Sequence, residues 1–159
     1  MLTLVGMKKY TLLFIIILTA FAACKKTGPA KEKPELAFVS LSHNAVTNGD
    51  LKDTVLISLR YTIAASDVGK DSTAPYIAFK DSRDQTVNRQ YFPNEIADNL
   101  PETDLNVSGA ITIRLNAGNY FVLRPDRPEG DTLQYEMYLV GKNGVESNRI
   151  TTSDIYILP

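Results

Sequence analysis

The chain has 159 residues, with 17 Lys and Arg against 18 Asp and Glu for a formal net charge of −1, no tryptophan, one histidine and one cysteine. That balance argues against the basic face that nucleic acid requires and against any strong electrostatic grip on anionic lipid. A lone cysteine excludes an intrachain disulfide, and one histidine beside one cysteine leaves no zinc ligand trio.

The first element is an apolar run from Tyr10 to Ala23, containing Leu12, Leu13, Phe14, Ile15, Ile16, Ile17 and Leu18 and preceded by Lys8 and Lys9. That is the layout of a secretory signal. At about 14 residues it falls short of the roughly 20 that a helix needs to cross a ~30 Å hydrocarbon core, and Lys25 and Lys26 end it. Met7, directly before the lysines, reads as the natural start; Met1 to Gly6 are then a mis-assigned start or an extension.

The run closes on Phe21-Ala22-Ala23-Cys24, which resembles the lipobox of Gram-negative lipoproteins, with Phe21 where leucine is usual. The resemblance implies a signal peptide over residues 1–23, cleavage after Ala23 and diacylation of the Cys24 sulfur. The alternative is an ordinary cysteine beside a simple cleavage site. An exported chain with one unpaired thiol is open to oxidation, which favours the lipid reading. Two or three acyl chains anchor stably, since each buried methylene contributes roughly 0.8 kcal/mol. Lys25 stands where the inner-membrane retention signal of enteric lipoproteins has aspartate, so the resemblance points to a lipid anchor in the outer membrane. It leaves open whether the protein faces the periplasm or the surface.

Without Lys8 and Lys9 the mature chain keeps 15 basic against 18 acidic residues, a net charge near −3. Residues 24–35 read as a lipidated N-terminus followed by a flexible tether, KKTGPAKEKPE, with no large apolar side chain and two prolines. At about 3.3 Å per residue it spans up to roughly 35 Å. Residues 36–159 match one ordinary domain.

Inside that domain the hydrophobic period is two. Over Val55 to Ile63, the residues Val55, Ile57, Leu59, Tyr61 and Ile63 share one face, opposite Ser58, Arg60 and Thr62, and only Leu56 breaks the alternation. Val107 to Leu115 and Leu133 to Val140 alternate likewise, with Ile111, Ile113 and Leu115, then Leu133, Tyr135, Met137 and Leu139, pointing inward. Shorter strands are predicted at Ala37 to Leu41, Tyr76 to Lys80, Tyr120 to Leu123 and Ser153 to Leu158. Turn formers separate them, among them Asn48-Gly49, Pro125 to Gly130 and Asn143-Gly144, the last a signal for a type I′ hairpin. Asn94 to Leu100 is the one stretch that reads as a turn of helix. The expectation is an all-β fold: a single antiparallel β-sandwich of about seven strands, of immunoglobulin or fibronectin-III type, with a small open barrel as the alternative.

The segments Asp53 to Thr62 and Tyr138 to Asn148 resemble a group of small, mostly uncharacterised bacterial envelope lipoproteins carrying one immunoglobulin-like domain. In that group an aspartate-glycine-rich loop often follows the first of these strands, and the resemblance implies a loop that could hold calcium. Here the loop is Ala64 to Asp71, where alanines replace acids and Lys70 adds a positive charge, leaving Asp67 and Asp71 as weak calcium candidates. A polar turn is the plainer reading, and no metal or cofactor is expected.

Catalytic patterns are sparse. A Ser-His-Asp triad around His43 is formally possible but lacks a G-x-S-x-G elbow, and a surface or turn histidine is the plainer reading. Asp98, Glu102 and Asp104 crowd enough to raise glycosidic hydrolysis, against a solvated acidic loop. Asp53-Thr54-Val55, Asp71-Ser72-Thr73 and Asp131-Thr132-Leu133 resemble sites that some envelope bacteria O-glycosylate, although Asp beside a hydroxyl residue also marks a strand entry. Tyr91, Phe92, Tyr138 and Tyr156 are candidate ligand-facing aromatics. The functional expectation is a lipid-anchored, non-catalytic interaction or structural module whose partner is an unknown envelope protein or glycan. Its alternative is a carbohydrate-binding accessory lipoprotein of a glycan uptake system.

Overall fold

The computed structural model describes residues 33–68, 75–92 and 106–159. Ten strands lie among them: β1 (Glu35–Leu41), β2 (Ala45–Thr47), β3 (Thr54–Ala64), β4 (Tyr76–Asp81), β5 (Val87–Tyr91), β6 (Asn106–Asn116), β7 (Asp131–Leu133), β8 (Tyr135–Val140), β9 (Ile150–Thr151) and β10 (Ile155–Leu158). One short helix, α1 (Ala117–Tyr120), follows β6. The fold is all-β and built from antiparallel sheets, with one parallel pair between β2 and β10. Among the described residues no helix is long and apolar enough to cross a membrane.

The first sheet has the order β1-β3-β6. Its centre is β3, where Val55, Ile57, Leu59, Tyr61 and Ile63 are all buried, as period-two alternation demands of a strand with one face on a core. The β3–β6 ladder runs unbroken from Thr54 opposite Asn116 to Ala64 opposite Asn106. Between Phe38 and Ser40 the β1–β3 register shifts and Val39 stands out in solvent, a bulge that twists an edge strand away from further pairing. Pro34 is buried and Glu35 pairs with Thr62, so the domain takes in the last residues of the expected tether. On the β3–β6 ladder Tyr61 faces Gly109, and a Cβ there would meet its hydroxyl at 2.6 Å. The ring thus occupies the space that the missing side chain leaves, a cross-strand rescue of a strand glycine.

The second sheet has the order β5-β4-β8-β9, and the third, β2-β10-β7. All three contribute to one hydrophobic cluster, which includes Ile57 and Leu59 of β3, Ile113 and Leu115 of β6, Ile77 and Phe79 of β4, Met137 and Leu139 of β8, and Ile155 and Ile157 of β10. Each such side chain, fully buried, stabilises the fold by roughly 1.5–3 kcal/mol.

Several expectations are corrected. Ten strands replace the seven, because β2, β5 and β9 are short or polar. Tyr120 to Leu123 is no strand: the Asn116 side chain accepts the Gly118 N–H, starts α1, and Phe121 closes it with an N–H to Ala117. Leu133 to Val140 divides at Gln134, whose carbonyl accepts the Ser82 N–H and whose own N–H bonds the Ser82 hydroxyl. At Asn143-Gly144 only Gly144 has positive φ, +73°, and its N–H bonds Gly141. The turn is therefore not type I′, which requires two left-handed residues. The helical turn expected at Asn94 to Leu100 lies outside the described residues.

Candidate functional site

Among the residues singled out in the sequence, Cys24, Asp71, Asp98, Glu102 and Asp104 lie outside the described residues. Asp67 is buried in the turn after β3, where its carboxylate accepts the Asn143 amide at 2.5 Å and its carbonyl accepts the Lys142 N–H. It pins the β8–β9 connection to the end of β3. Among the described residues no group of three His, Cys, Asp or Glu side chains is placed to hold a metal ion. Asp53 and Asp131 both bond the N–H of the threonine that follows, the strand-entry geometry that asparagine and aspartate favour.

His43 does sit between a serine and an aspartate, with Nδ1 3.0 Å from Ser42 Oγ and Nε2 3.2 Å from Asp53 Oδ2. A hydrolytic triad also needs a free nucleophile and N–H donors around a developing oxyanion. Ser42 Oγ is instead committed to the Leu56 N–H at 3.0 Å, while the Ser42 N–H bonds the Leu56 carbonyl at 2.9 Å. These three residues close the open end of the β1–β3 ladder.

The candidate aromatics separate into three environments. Tyr91 and Tyr138 come together with Tyr76 on the outer face of the second sheet, Tyr91 and Tyr76 with ring centroids 5.6 Å apart. Arg89 lies 5.0 Å over the Tyr76 ring and Arg149 4.1 Å over Tyr138. Glu136 and Glu146 hold Arg149 there at 2.7 and 3.0 Å. Ala78 shares this outward parity, yet only 1% of it is exposed, because the register places it between Arg89 and Tyr138. The face is thus a packed tyrosine–arginine layer in which arginine covers Tyr138, leaving Tyr91 the open ring. Phe92 is no ligand-facing aromatic. One residue past Tyr91 it turns to the opposite side, is buried, and packs edge-on against Tyr61 at 4.8 Å. Tyr156 is exposed on β10 in the third sheet, apart from the others.

A second constellation was not anticipated. The loop after β4 brings Arg83 back onto Asp81, which accepts from the Arg83 backbone N–H, Nε and Nη2 at 2.8–3.2 Å. The other guanidinium donors reach the Val122 carbonyl, Asp131 Oδ2 and the Tyr120 carbonyl at 3.0–3.4 Å. Every Arg83 N–H is therefore used, and one side chain ties the β4–β5 loop, the segment after α1 and β7 together. Burial works against its charge, but Asp81 and Asp131 outweigh that and raise its pKa. Asp131, its side chain wholly covered, also has Arg124 and Arg127 each at 3.3 Å. Burial pushes its carboxyl up; the Thr132 N–H, Arg124 and Arg83 more than reverse this and hold it below the ordinary carboxylate range.

Beside this clasp lies a cavity of about 390 Å³ lined by Asp84, Asn88, Asn119, Tyr120, Arg124 and Tyr135, among others. The Tyr135 hydroxyl is buried and hydrogen-bonded to nothing, and the Arg124 Nε–H is likewise buried without a well-aligned acceptor. Burial raises the Tyr135 pKa far above the ordinary phenol value. These residues escaped sequence reading because they are ordinary polar types drawn from separate loops; the one signal was the charge-rich Arg124 to Asp131 stretch, which reads as a turn. No family model, no curated protein and no solved structure matches this chain.

Proposed function

We propose that the chain is a lipid-anchored, non-catalytic protein of the bacterial cell envelope, held at the outer membrane through Cys24, whose domain serves as an interaction or structural module. The observation that carries this reading is Phe21-Ala22-Ala23-Cys24 at the end of an export-length apolar run, with the chain's only cysteine at the acylation position. The domain is read as an immunoglobulin/fibronectin-III-type sandwich. What supports that is strand order: β1, β3 and β6 stand as A, B and E of such a domain, and β5, β4, β8 and β9 stand as C′, C, F and G. Commitment of Ser42 to the backbone supports the non-catalytic part.

Metabolic labelling with a fatty acid tests the anchor. Label is expected in the wild-type protein and absent from Cys24→Ala; label persisting in the variant overturns the reading. A second reading, a carbohydrate-binding accessory lipoprotein, is favoured by the cavity with its orphan hydroxyl more than by the aromatic face, where Arg149 already occupies Tyr138.

A further inference from the structure

We infer that the cavity beside the Asp81–Arg83 clasp is a binding site for a neutral, hydroxylated ligand of the size of one sugar ring. This rests on reading the domain as a binding module, and it is independent of where the chain is anchored.

Two observations locate the site. The first is the cavity itself: about 390 Å³, within the roughly 300–1,000 Å³ of small-molecule sites and near their lower end. The second is Tyr135, 1% exposed, whose hydroxyl has no hydrogen-bond partner. Tyr135 lines this cavity together with Asp81, Arg83, Asp84 and Tyr120. Tyr135 is therefore part of its inner wall, with the hydroxyl buried. A buried polar group left unpaired is costly, and such groups in native proteins call for a reason.

Charge decides the ligand class. Three cations, Arg83, Arg124 and Arg127, stand against three carboxylates, Asp81 and Asp131 paired with them and Asp84 on the cavity wall, so no excess cation remains to select phosphate or sulfate. Among the described residues no acidic or histidine trio offers a metal ion its ligands. What remains is paired donor and acceptor chemistry. Asp84 accepts, the Thr86 N–H keeping its carboxyl ionised. Arg124 donates, and the Asn88 and Asn119 amides do both. Sugar hydroxyls, each donor and acceptor, match that mixture. The half-buried Tyr120 ring supplies an apolar wall for the C–H face of a pyranose.

The test uses the full-length chain in detergent. Methyl glycosides of glucose, galactose and mannose, and N-acetylglucosamine, are offered singly, with inorganic phosphate and calcium as comparators, and binding is read by saturation-transfer NMR and thermal shift. At least one sugar is expected to bind. Tyr135→Phe, which keeps the ring, and Asn119→Ala, on an exposed residue, are each expected to weaken it about 2–10-fold, the worth of one hydrogen bond. Tyr135→Phe without ligand should unfold no earlier than wild type, so a folding defect does not confound the result. The inference is overturned if no sugar binds, if only phosphate or calcium does, or if binding survives both variants but is lost in Tyr91→Ala, which would move the site to the aromatic face. None of those outcomes touches the module reading; hydrolysis of an offered methyl glycoside would overturn that instead.

Discussion

Replacing Asp131 by Asn isolates the charge at the centre of the clasp. Asparagine keeps the shape and the acceptor for the Thr132 N–H, but removes the negative charge that faces Arg83, Arg124 and Arg127. Breaking a deeply buried ion pair costs about 3–5 kcal/mol; exposed pairs contribute about 0–1 kcal/mol. Asp131 lies between these limits. Its side chain is 0% exposed, yet its cover is partly Arg124 and Arg127, themselves 33% and 54% exposed, so water screens part of the field. We expect a loss of about 2–3 kcal/mol at pH 7. In urea unfolding, followed by circular dichroism, with a slope near 2 kcal/mol/M, that lowers the midpoint by about 1–1.5 M. The pH dependence has a definite sign. The folded carboxyl titrates below its ordinary value of about 3.9, so its stabilisation is complete above that value and is lost as pH falls through the lower folded pKa. The gap between wild type and Asp131→Asn should therefore hold from pH 7 to about 4 and narrow below it. A gap under about 0.5 kcal/mol at pH 7, the size of an exposed pair, would refute this account, as would one that stays constant into the acid range.

Three further changes probe the frame. Gln85 holds φ +66° in the β4–β5 loop; Gln85→Gly relieves about 1 kcal/mol of left-handed strain, partly offset by chain entropy, and a small rise in melting temperature is expected. Gly109→Ala drives a methyl into the Tyr61 ring, itself packed against Phe92, and should cost about 1–3 kcal/mol by denaturant titration. Ile57→Ala empties a fully buried position in β3 and should cost about 2–5 kcal/mol in the same assay.

What was legible in the sequence was whatever one buried face imposes on a long strand. In β3 and β8 the inward residues alternate without error, and the structure buries every one named, from Val55 to Ile63 and from Tyr135 to Leu139. Strands β2 and β9 hold three and two residues, too few for a period to show. The VNRQY segment of β5 lies at the end of its sheet, mostly exposed, so no burial pattern marks it. The Tyr-Phe-Val-Leu run reads as a strand by composition, but the helical turn capped at Asn116 takes in Tyr120 and ends there, leaving Phe121 to Leu123 irregular. Parity placed Tyr138 outward correctly, but no local pattern announces that Arg149, eleven residues on, covers it. The clasp was invisible for a related reason. Arg83 bonds residues 37 to 48 positions away, and such pairings follow from topology.

The β3–β6 ladder also bears on how the chain folds in time. It joins residues 42 to 62 positions apart, so the first sheet is completed only after a long loop closes, at an entropic cost greater than that of the β1–β3 pairing. As the chain emerges N-terminus first, β3 can pair with β1 at once, but its other edge stays open, with five apolar residues still to be covered, until β6 is available. Until then it is the segment most open to mispairing.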